Sequence, residues 1–211
     1  MSDNMFDNWQ RLLELFGIER IAVEKTYMQI VEAYSTPGRH YHTLAHIQQV
    51  LATIQSLENQ VRDLPTVLFA TWFHDIIYDN QAANNEENSA EYARDFLTLL
   101  NIPNQIIINV SRLILSTKYH QIAWNDFDNK VLLDADLAIL GTSRENYREY
   151  MQAIRQEYAW VPKKEYIVGR KTILEGFLKR PRIYLTEELS TLLEVSAREN
   201  IQAEIVFLDN I

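Results

Sequence analysis

Hydrophobic positions recur at helical spacing along almost the whole chain. Steps of three and four residues join Met5, Trp9, Leu12 and Phe16, and the pattern stops at Gly17, a residue typical of helix ends. No segment sustains the strict alternation of apolar and polar residues that indicates a strand. The predicted helices cover residues 5–16, 21–34, 43–64, 65–78, 86–100, 103–117, 130–140, 143–160, 162–179 and 186–207. The pattern therefore predicts an all-α protein of about nine or ten helices.

One predicted helix differs from the others because it is apolar nearly all round. Residues 65–78 include Phe69, Trp72 and Phe73, and a helix of this kind belongs at the centre of a bundle. Asp75 lies within this segment, where an ionised carboxylate is costly unless a cation or a metal ion accompanies it. Its position therefore makes Asp75 a candidate for chemistry.

The chain shows no low-complexity linker, internal repeat or composition shift that would divide it. We therefore expect one domain over residues 1–211. The first residues lack the basic and apolar regions of a secretory signal, and no apolar run is long enough to span a bilayer. These features predict a cytoplasmic protein without a membrane partner.

Composition narrows the chemistry. Twenty Lys and Arg residues against 29 Asp and Glu give a net charge of −9, which argues against general binding to nucleic acid or anionic membranes. The absence of Cys excludes disulfides, thiolate zinc sites, iron–sulfur clusters and Cys nucleophiles. A transition metal would need His, Asp and Glu ligands, and four of the five His residues lie between positions 40 and 74.

Two short segments bring candidate metal ligands near one another. His42 and His46 are four residues apart, so on a helix they share a face. His74 and Asp75 are adjacent and point about 100° apart on a helix, so both reach one ion only if it lies between their directions. A structural ion pair within the core would also explain the second pair.

The ordered motifs resemble the HD superfamily of metal-dependent phosphohydrolases, which are all-helical proteins. The amino-acid sequences of segments 39–47, 73–78, 87–90 and 134–141 are similar to those of a group of small bacterial proteins described as predicted HD phosphohydrolases. The resemblance places the core motifs at residues 39–141, with the C-terminal helices of residues 143–207 packed against them. It implies a single-domain helical bundle of the HD type.

The resemblance also implies a metal site. Matched position by position, its ligands are His46, His74, Asp75 and Asp136. Asp134 remains an alternative to Asp136, because Leu137 follows directly where the superfamily often has another residue; Asp134 is equally compatible with orienting a ligand His. Mixed imidazole and carboxylate ligands suit Mn, Fe, Co, Ni or Zn better than an ion that prefers oxygen alone, and Mg also remains possible. We expect one divalent ion.

Further residues are candidates for catalysis. Asp75 is suited to accept a hydrogen bond from a nucleophilic water, and Glu86 or Glu87 to act as a general acid or base if the preceding loop covers the site. Glu86 and Glu87 are equally typical of a helix's first turn.

Phosphate binding needs local cations in so acidic a chain. The candidate substrate-binding residues are Arg39, His42, Lys118 and His120. His42 is also compatible with a capping or packing role, and His120 with a helix end or a second metal. His40 is expected at the surface, whereas Arg155 and Glu157 are expected in helix packing and surface ion pairs.

These features together predict an enzyme that uses a metal-activated water to hydrolyse a phosphate ester or anhydride of a small molecule, with nucleotides as the favoured class. A metal-bound module that senses a nucleotide without turnover is the alternative, and an oxygenase or lyase reaction is a third, because the fold does not fix the reaction. A monomer and a homodimer are both compatible with the sequence.

Overall fold

The computed structural model describes residues 5–120 and 126–211, and within them every regular secondary-structure element is a helix and no strand occurs. This confirms the predicted all-α class. The ten α-helices of the described residues are α1 (Met5–Glu14), α2 (Arg20–Tyr34), α3 (Leu44–Ser56), α4 (Leu64–Phe73), α5 (Asn85–Leu99), α6 (Asn104–Thr117), α7 (Phe127–Asp136), α8 (Arg144–Glu157), α9 (Lys163–Lys179) and α10 (Glu187–Asp209). Short 3₁₀ turns at Glu58–Gln60 and Leu137–Gly141 follow α3 and α7.

Side-chain caps fix where several helices begin. Thr43, Asp63, Ser143 and Thr186 each accept a hydrogen bond from a backbone N–H in the first turn of α3, α4, α8 and α10. Gly17 follows α1 with φ +69°, the left-handed conformation that glycine adopts without a steric penalty. The Asp63 cap begins α4 eight residues after the end of α3 at Ser56, whereas the hydrophobic pattern places the two helices end to end.

The central apolar helix α4 ends at Phe73, five residues before the predicted end at Tyr78. After Phe73, side chains from other parts of the chain form hydrogen bonds with backbone groups that a continued helix would have paired internally. The carbonyls of Asp75 and Ile76 accept hydrogen bonds from Arg39, and the Ile77 N–H donates to Ser89 Oγ. His74 and Asp75 therefore lie at the end of the helix rather than within it.

Aromatic side chains from several helices pack around α4. Trp9 of α1 is fully buried, makes an edge-on contact with Trp72, and donates from Nε1 to Thr26 Oγ1 at 3.0 Å. The N-terminal helix therefore packs into the core. Helices α3, α5, α6 and α7 all contact α4, so the C-terminal end of this helix lies within the bundle. None of the described helices is long and apolar enough to cross a membrane.

Candidate metal centre

Three helices bring two imidazoles and a carboxylate together. His46 lies in the first turn of α3, His74 directly follows α4, and Asp136 is the last residue of α7. His46 Nε2 is 3.2 Å from His74 Nε2 and 3.1 Å from Asp136 Oδ1, and His74 Nε2 is 3.5 Å from the same oxygen. Three potential ligand atoms therefore lie close enough together to hold a metal ion.

Asp75 adds a fourth donor at the same place. Its Oδ2 lies 3.1 Å from His74 Nε2 and 3.7 Å from His46 Nε2. The bend after α4 brings the adjacent His74 and Asp75 side chains to one point. Asp75 thus lies against both imidazoles, beside the group that His46, His74 and Asp136 form.

The spacing of these atoms fits shared coordination. Ligand atoms about 2.0–2.1 Å from one ion lie roughly 2.9–3.4 Å apart at octahedral or tetrahedral angles. The closest contacts of His46 Nε2, at 3.1 and 3.2 Å, fall in this range. Two imidazole nitrogens with carboxylate oxygens are a donor set that suits first-row divalent ions. The residues present therefore fit a divalent metal.

Hydrogen bonding directs one imidazole towards this centre. His74 Nδ1 lies 2.9 Å from the Thr71 carbonyl. This contact places a proton on Nδ1, so that the lone pair of Nε2 is the one directed towards a metal ion. Among the described residues, His46 Nδ1 is the one buried side-chain nitrogen or oxygen without a hydrogen-bond partner. A buried polar atom left unsatisfied costs about 1–3 kcal/mol. The His46 ring is therefore oriented with Nε2 towards the other ligands, although this orientation leaves Nδ1 without a hydrogen bond.

The cluster is also electrostatically suited to a cation. Burial disfavours the charged form of His74, but Asp75 and Asp136 outweigh it and raise the pKa of His74 well above its usual value. Burial would raise the pKa of Asp136, but His74 and hydrogen bonds from the neighbouring imidazoles hold that pKa well below its usual value. Two ionised carboxylates thus lie beside the His74 imidazole, and a bound cation would displace the additional proton that they favour on His74.

A cavity of about 350 Å³ opens beside the two carboxylates. Among the residues that line it are Asp75, Asp136, Glu86, Lys118 and His120. The cavity therefore connects the cluster to the surface. It has room for a small molecule next to the candidate ligands.

His120 joins the cluster from the end of α6. Its Nε2 lies 2.8 Å from Asp136 Oδ2, and its backbone has φ +46°, a left-handed value that is uncommon for residues other than glycine. Arg180 donates to the carbonyls of Tyr119 and His120 and so supports this conformation. Strained backbone held by its surroundings is frequent at functional sites.

The cation Lys118 and the acidic pair Glu86 and Glu87 meet at the cavity rim. Lys118 Nζ donates to the Ala83 carbonyl and to Glu87, which holds the loop before α5 against the end of α6. Glu86 lines the cavity, whereas Glu87 is exposed and is engaged by Lys118. The structure therefore favours Glu86 over Glu87 as the residue facing a substrate.

Arg39 is placed differently from the sequence interpretation. Its guanidinium donates to the carbonyls of His42, Asp75 and Ile76 and to Thr36 Oγ1, and Arg39 is not among the residues that line the cavity. All three of its nitrogens thus have protein acceptors. This geometry favours a positioning role, in which Arg39 ties the segment before α3 to the segment after α4.

Glu157 is a site residue that the sequence interpretation misplaced. It is only 2% exposed, and its Oε1 accepts the backbone N–H groups of His40, Tyr41 and His42. Its Oε2 lies 2.7 Å from His42 Nδ1 and accepts the Tyr78 hydroxyl hydrogen bond. Glu157 therefore forms no surface ion pair with a described residue, and it anchors the segment that leads into α3.

His42 lines the cavity, and the hydrogen bond between its Nδ1 and Glu157 orients its imidazole. Its ring stacks on Tyr78 with 4.2 Å between ring centroids. The hydrogen bond at Nδ1 leaves Nε2 as the nitrogen free to contact a ligand. The signal for Glu157 in the sequence is weak, because a Glu at the end of an amphipathic helix usually faces solvent.

We expect Glu157→Gln to destabilise the protein by roughly 2–3 kcal/mol at pH 7. Burial would raise the pKa of Glu157, but His42 and the backbone N–H groups lower it from 4.5 to about 2. A carboxylate with a depressed folded pKa stabilises the fold above its unfolded pKa, and this contribution is lost as the pH falls from about 4.5 towards 2. Urea unfolding at pH 7 and at pH 3.5 measures the change.

The exposed Glu149 of the same helix provides the matched control. Glu149→Gln should change the free energy of unfolding by less than about 0.5 kcal/mol at either pH. The two variants differing little at pH 7, or a Glu157→Gln effect that does not shrink at pH 3.5, would contradict the anchoring role.

Asp134 is separated from the cluster by the helix itself. Residues two apart on a helix point about 200° apart, so Asp134 and Asp136 face opposite sides of α7. Asp134 is fully buried and accepts hydrogen bonds from the Leu185 and Thr186 backbone N–H groups and from Thr186 Oγ1. The structure thus assigns Asp136, and not Asp134, to the candidate metal centre.

Comparison of the chain with models of known protein families, with curated proteins and with solved structures found no match. The resemblance to the HD superfamily therefore stays a prediction, and the case for function depends on the site itself.

Proposed function

We propose that the protein is a metal-dependent phosphohydrolase that hydrolyses a phosphate ester or anhydride of a small molecule, with nucleotides as the favoured class. The observation that carries the proposal is the convergence of His46, His74, Asp75 and Asp136 beside a cavity that also contains Lys118 and His120. Metal ligands and groups suited to an anion occur together at one opening. Phosphoryl hydrolysis needs both.

The four ligand residues would hold the ion, and their arrangement leaves groups for the reaction. When bound, a divalent ion supplies a water of lowered pKa and polarises a phosphoryl oxygen. Asp75 turns Oδ2 towards the imidazoles, while its Oδ1 has no hydrogen-bond partner among the described residues. Asp75 Oδ1 is thus available to orient the attacking water by accepting its proton in a hydrogen bond.

In this proposal, the polar groups that line the cavity bind the substrate. Lys118 offers an ammonium and His42 a ring nitrogen, and His120 lies against Asp136 at the same opening. Tyr78 and Tyr158 also line the cavity and supply aromatic surface beside these groups. Glu86 also lines the cavity, and in this proposal it protonates the leaving group.

The test is phosphate release from a panel of nucleotides and small phosphate esters with Mn²⁺, Co²⁺, Ni²⁺, Zn²⁺ and Mg²⁺. We expect turnover of one substrate class with at least one of these ions. Lys118→Gln should raise KM for that class roughly three- to tenfold and change kcat less, because an exposed ion pair with a substrate contributes about 1 kcal/mol.

Lys25→Gln, an exposed position on α2, is the matched control and should leave both constants unchanged. Tight nucleotide binding without phosphate release under every ion would overturn the enzyme in favour of a sensor. Iron- and dioxygen-dependent turnover would overturn hydrolysis in favour of oxygenase chemistry.

A further inference from the structure

A second and larger cavity lies away from the candidate metal centre. It is a groove of about 720 Å³ among α8, the start of α9 and the end of α10, and we call it the α8–α10 groove. None of the candidate metal ligands lines it. Its volume lies within the range of about 300–1,000 Å³ that is typical of small-molecule sites.

The floor of the groove is apolar. Met151, Ile167, Leu208 and Phe207 line it from the three helices. Phe207 is 52% exposed, and Ile211, which also lines the groove, is 50% exposed. Apolar surface in a concave site of this size favours a ligand with a hydrocarbon body.

The rim of the groove is basic, although the chain carries a net charge of −9. Arg144, Arg148, Arg155 and Lys163 line the groove, and Glu204 is its one acidic lining residue among the described residues. The Glu204 charge is already compensated, since Arg170 donates to both of its carboxylate oxygens. The groove therefore has an excess of positive charge.

Two of these four cations have partners within the described part of the fold, and two do not. Arg155 donates to the carbonyls of Tyr158 and Val161, and Arg144 lies 3.8 Å from Glu199. Arg148 and Lys163 make no ion pair or side-chain hydrogen bond with any described residue. They remain available to a ligand that brings its own negative charge.

We propose that the α8–α10 groove binds an amphipathic small-molecule anion of the long-chain carboxylate class. The hydrocarbon chain covers the apolar floor, and the carboxylate lies at the basic rim with Arg148 and Lys163. A second copy of the chain fits less well, because a symmetric pairing would set this basic rim against itself. This site is separate from the proposed phosphohydrolase centre and does not depend on it.

The experiment is calorimetric titration of the full-length protein with dodecanoate below its micelle concentration, with dodecanol and acetate as comparison ligands. We expect saturable binding of dodecanoate, at least tenfold weaker binding of dodecanol, and no binding of acetate. The double variant Arg148→Gln/Lys163→Gln should weaken dodecanoate binding about tenfold, in line with two partly exposed charge contacts.

A matched pair of variants on α10 tests the location. Ala203 lines the groove and is exposed, whereas its exposed neighbour Gln202 does not line it. Ala203→Trp places an indole ring in part of the groove without removing a buried contact and should weaken dodecanoate binding at least tenfold, and Gln202→Trp should leave it unchanged. Circular dichroism and thermal melting establish that both variants fold.

Several results would overturn the proposal. These are the absence of saturable dodecanoate binding, equal affinity for dodecanol, and full binding by Ala203→Trp. Concentration-dependent dimerisation that Ala203→Trp abolishes, without dodecanoate binding, would assign the groove to a second copy instead.

Discussion

Replacing His74 by Gln is expected to abolish stoichiometric metal binding and, with it, hydrolytic activity. His74 is 1% exposed, and its Nε2 lies within 3.5 Å of donor atoms from His46, Asp75 and Asp136. Its removal takes away the imidazole at the centre of the ligand set. The loss of metal affinity should exceed the roughly 10- to 100-fold that follows removal of a residue that only orients a ligand.

Two measurements check this expectation without relying on turnover. Elemental analysis of protein prepared without a polyhistidine tag should find about one divalent ion per wild-type chain and much less in the variant. Added metal should raise the wild-type melting temperature, since an ion at 100 times its Kd stabilises the folded state by about 2.7 kcal/mol. The variant should show no such rise.

His40→Gln is the matched control, because His40 belongs to the same histidine-rich segment but is exposed. This variant should keep both the metal and the thermal response. Wild-type protein that takes up no divalent ion under any loading condition would remove the basis for the metal centre and for the proposed hydrolysis.

The hydrophobic pattern predicts the helices well because each helix buries one face. It fails at the end of α4, where residues 74–78 keep the apolar pattern but leave the helix. Arg39 and Ser89, distant in sequence, supply the hydrogen bonds that make this bend possible. Local periodicity does not register such tertiary partners.

At the candidate site too, some residues can be predicted from the sequence and others only from the fold. Adjacent His74 and Asp75 on an apolar segment are equally compatible with a core ion pair and a metal site, and the resemblance of the ordered motifs is what favours the metal. Glu157 gives no comparable signal, although it binds the backbone of residues 40–42 from more than a hundred positions away. Arg39 has a residue type suited to phosphate, but the backbone carbonyls that it binds are visible only in the fold.

The choice between Asp134 and Asp136 leads to opposite expectations for two matched variants on one helix. Asp134→Ala removes the acceptor for the Leu185 and Thr186 N–H groups and for Thr186 Oγ1. Buried donors left without partners cost about 1–3 kcal/mol each. We therefore expect the free energy of unfolding to fall by roughly 3 kcal/mol or more, while the folded fraction still binds metal.

Asp136→Ala should behave in the reverse way. Asp136 holds no backbone segment in place, and its oxygens face His46, His74 and His120. Its removal should abolish stoichiometric metal binding and lower the unfolding free energy of the metal-free protein less than Asp134→Ala does. Urea unfolding in chelator, followed by metal analysis of the folded protein, separates the two variants. If Asp134→Ala lost metal at full stability and Asp136→Ala kept it, the ligand assignment on α7 would be reversed, because the two side chains point to opposite sides of the helix and only one can reach the imidazoles.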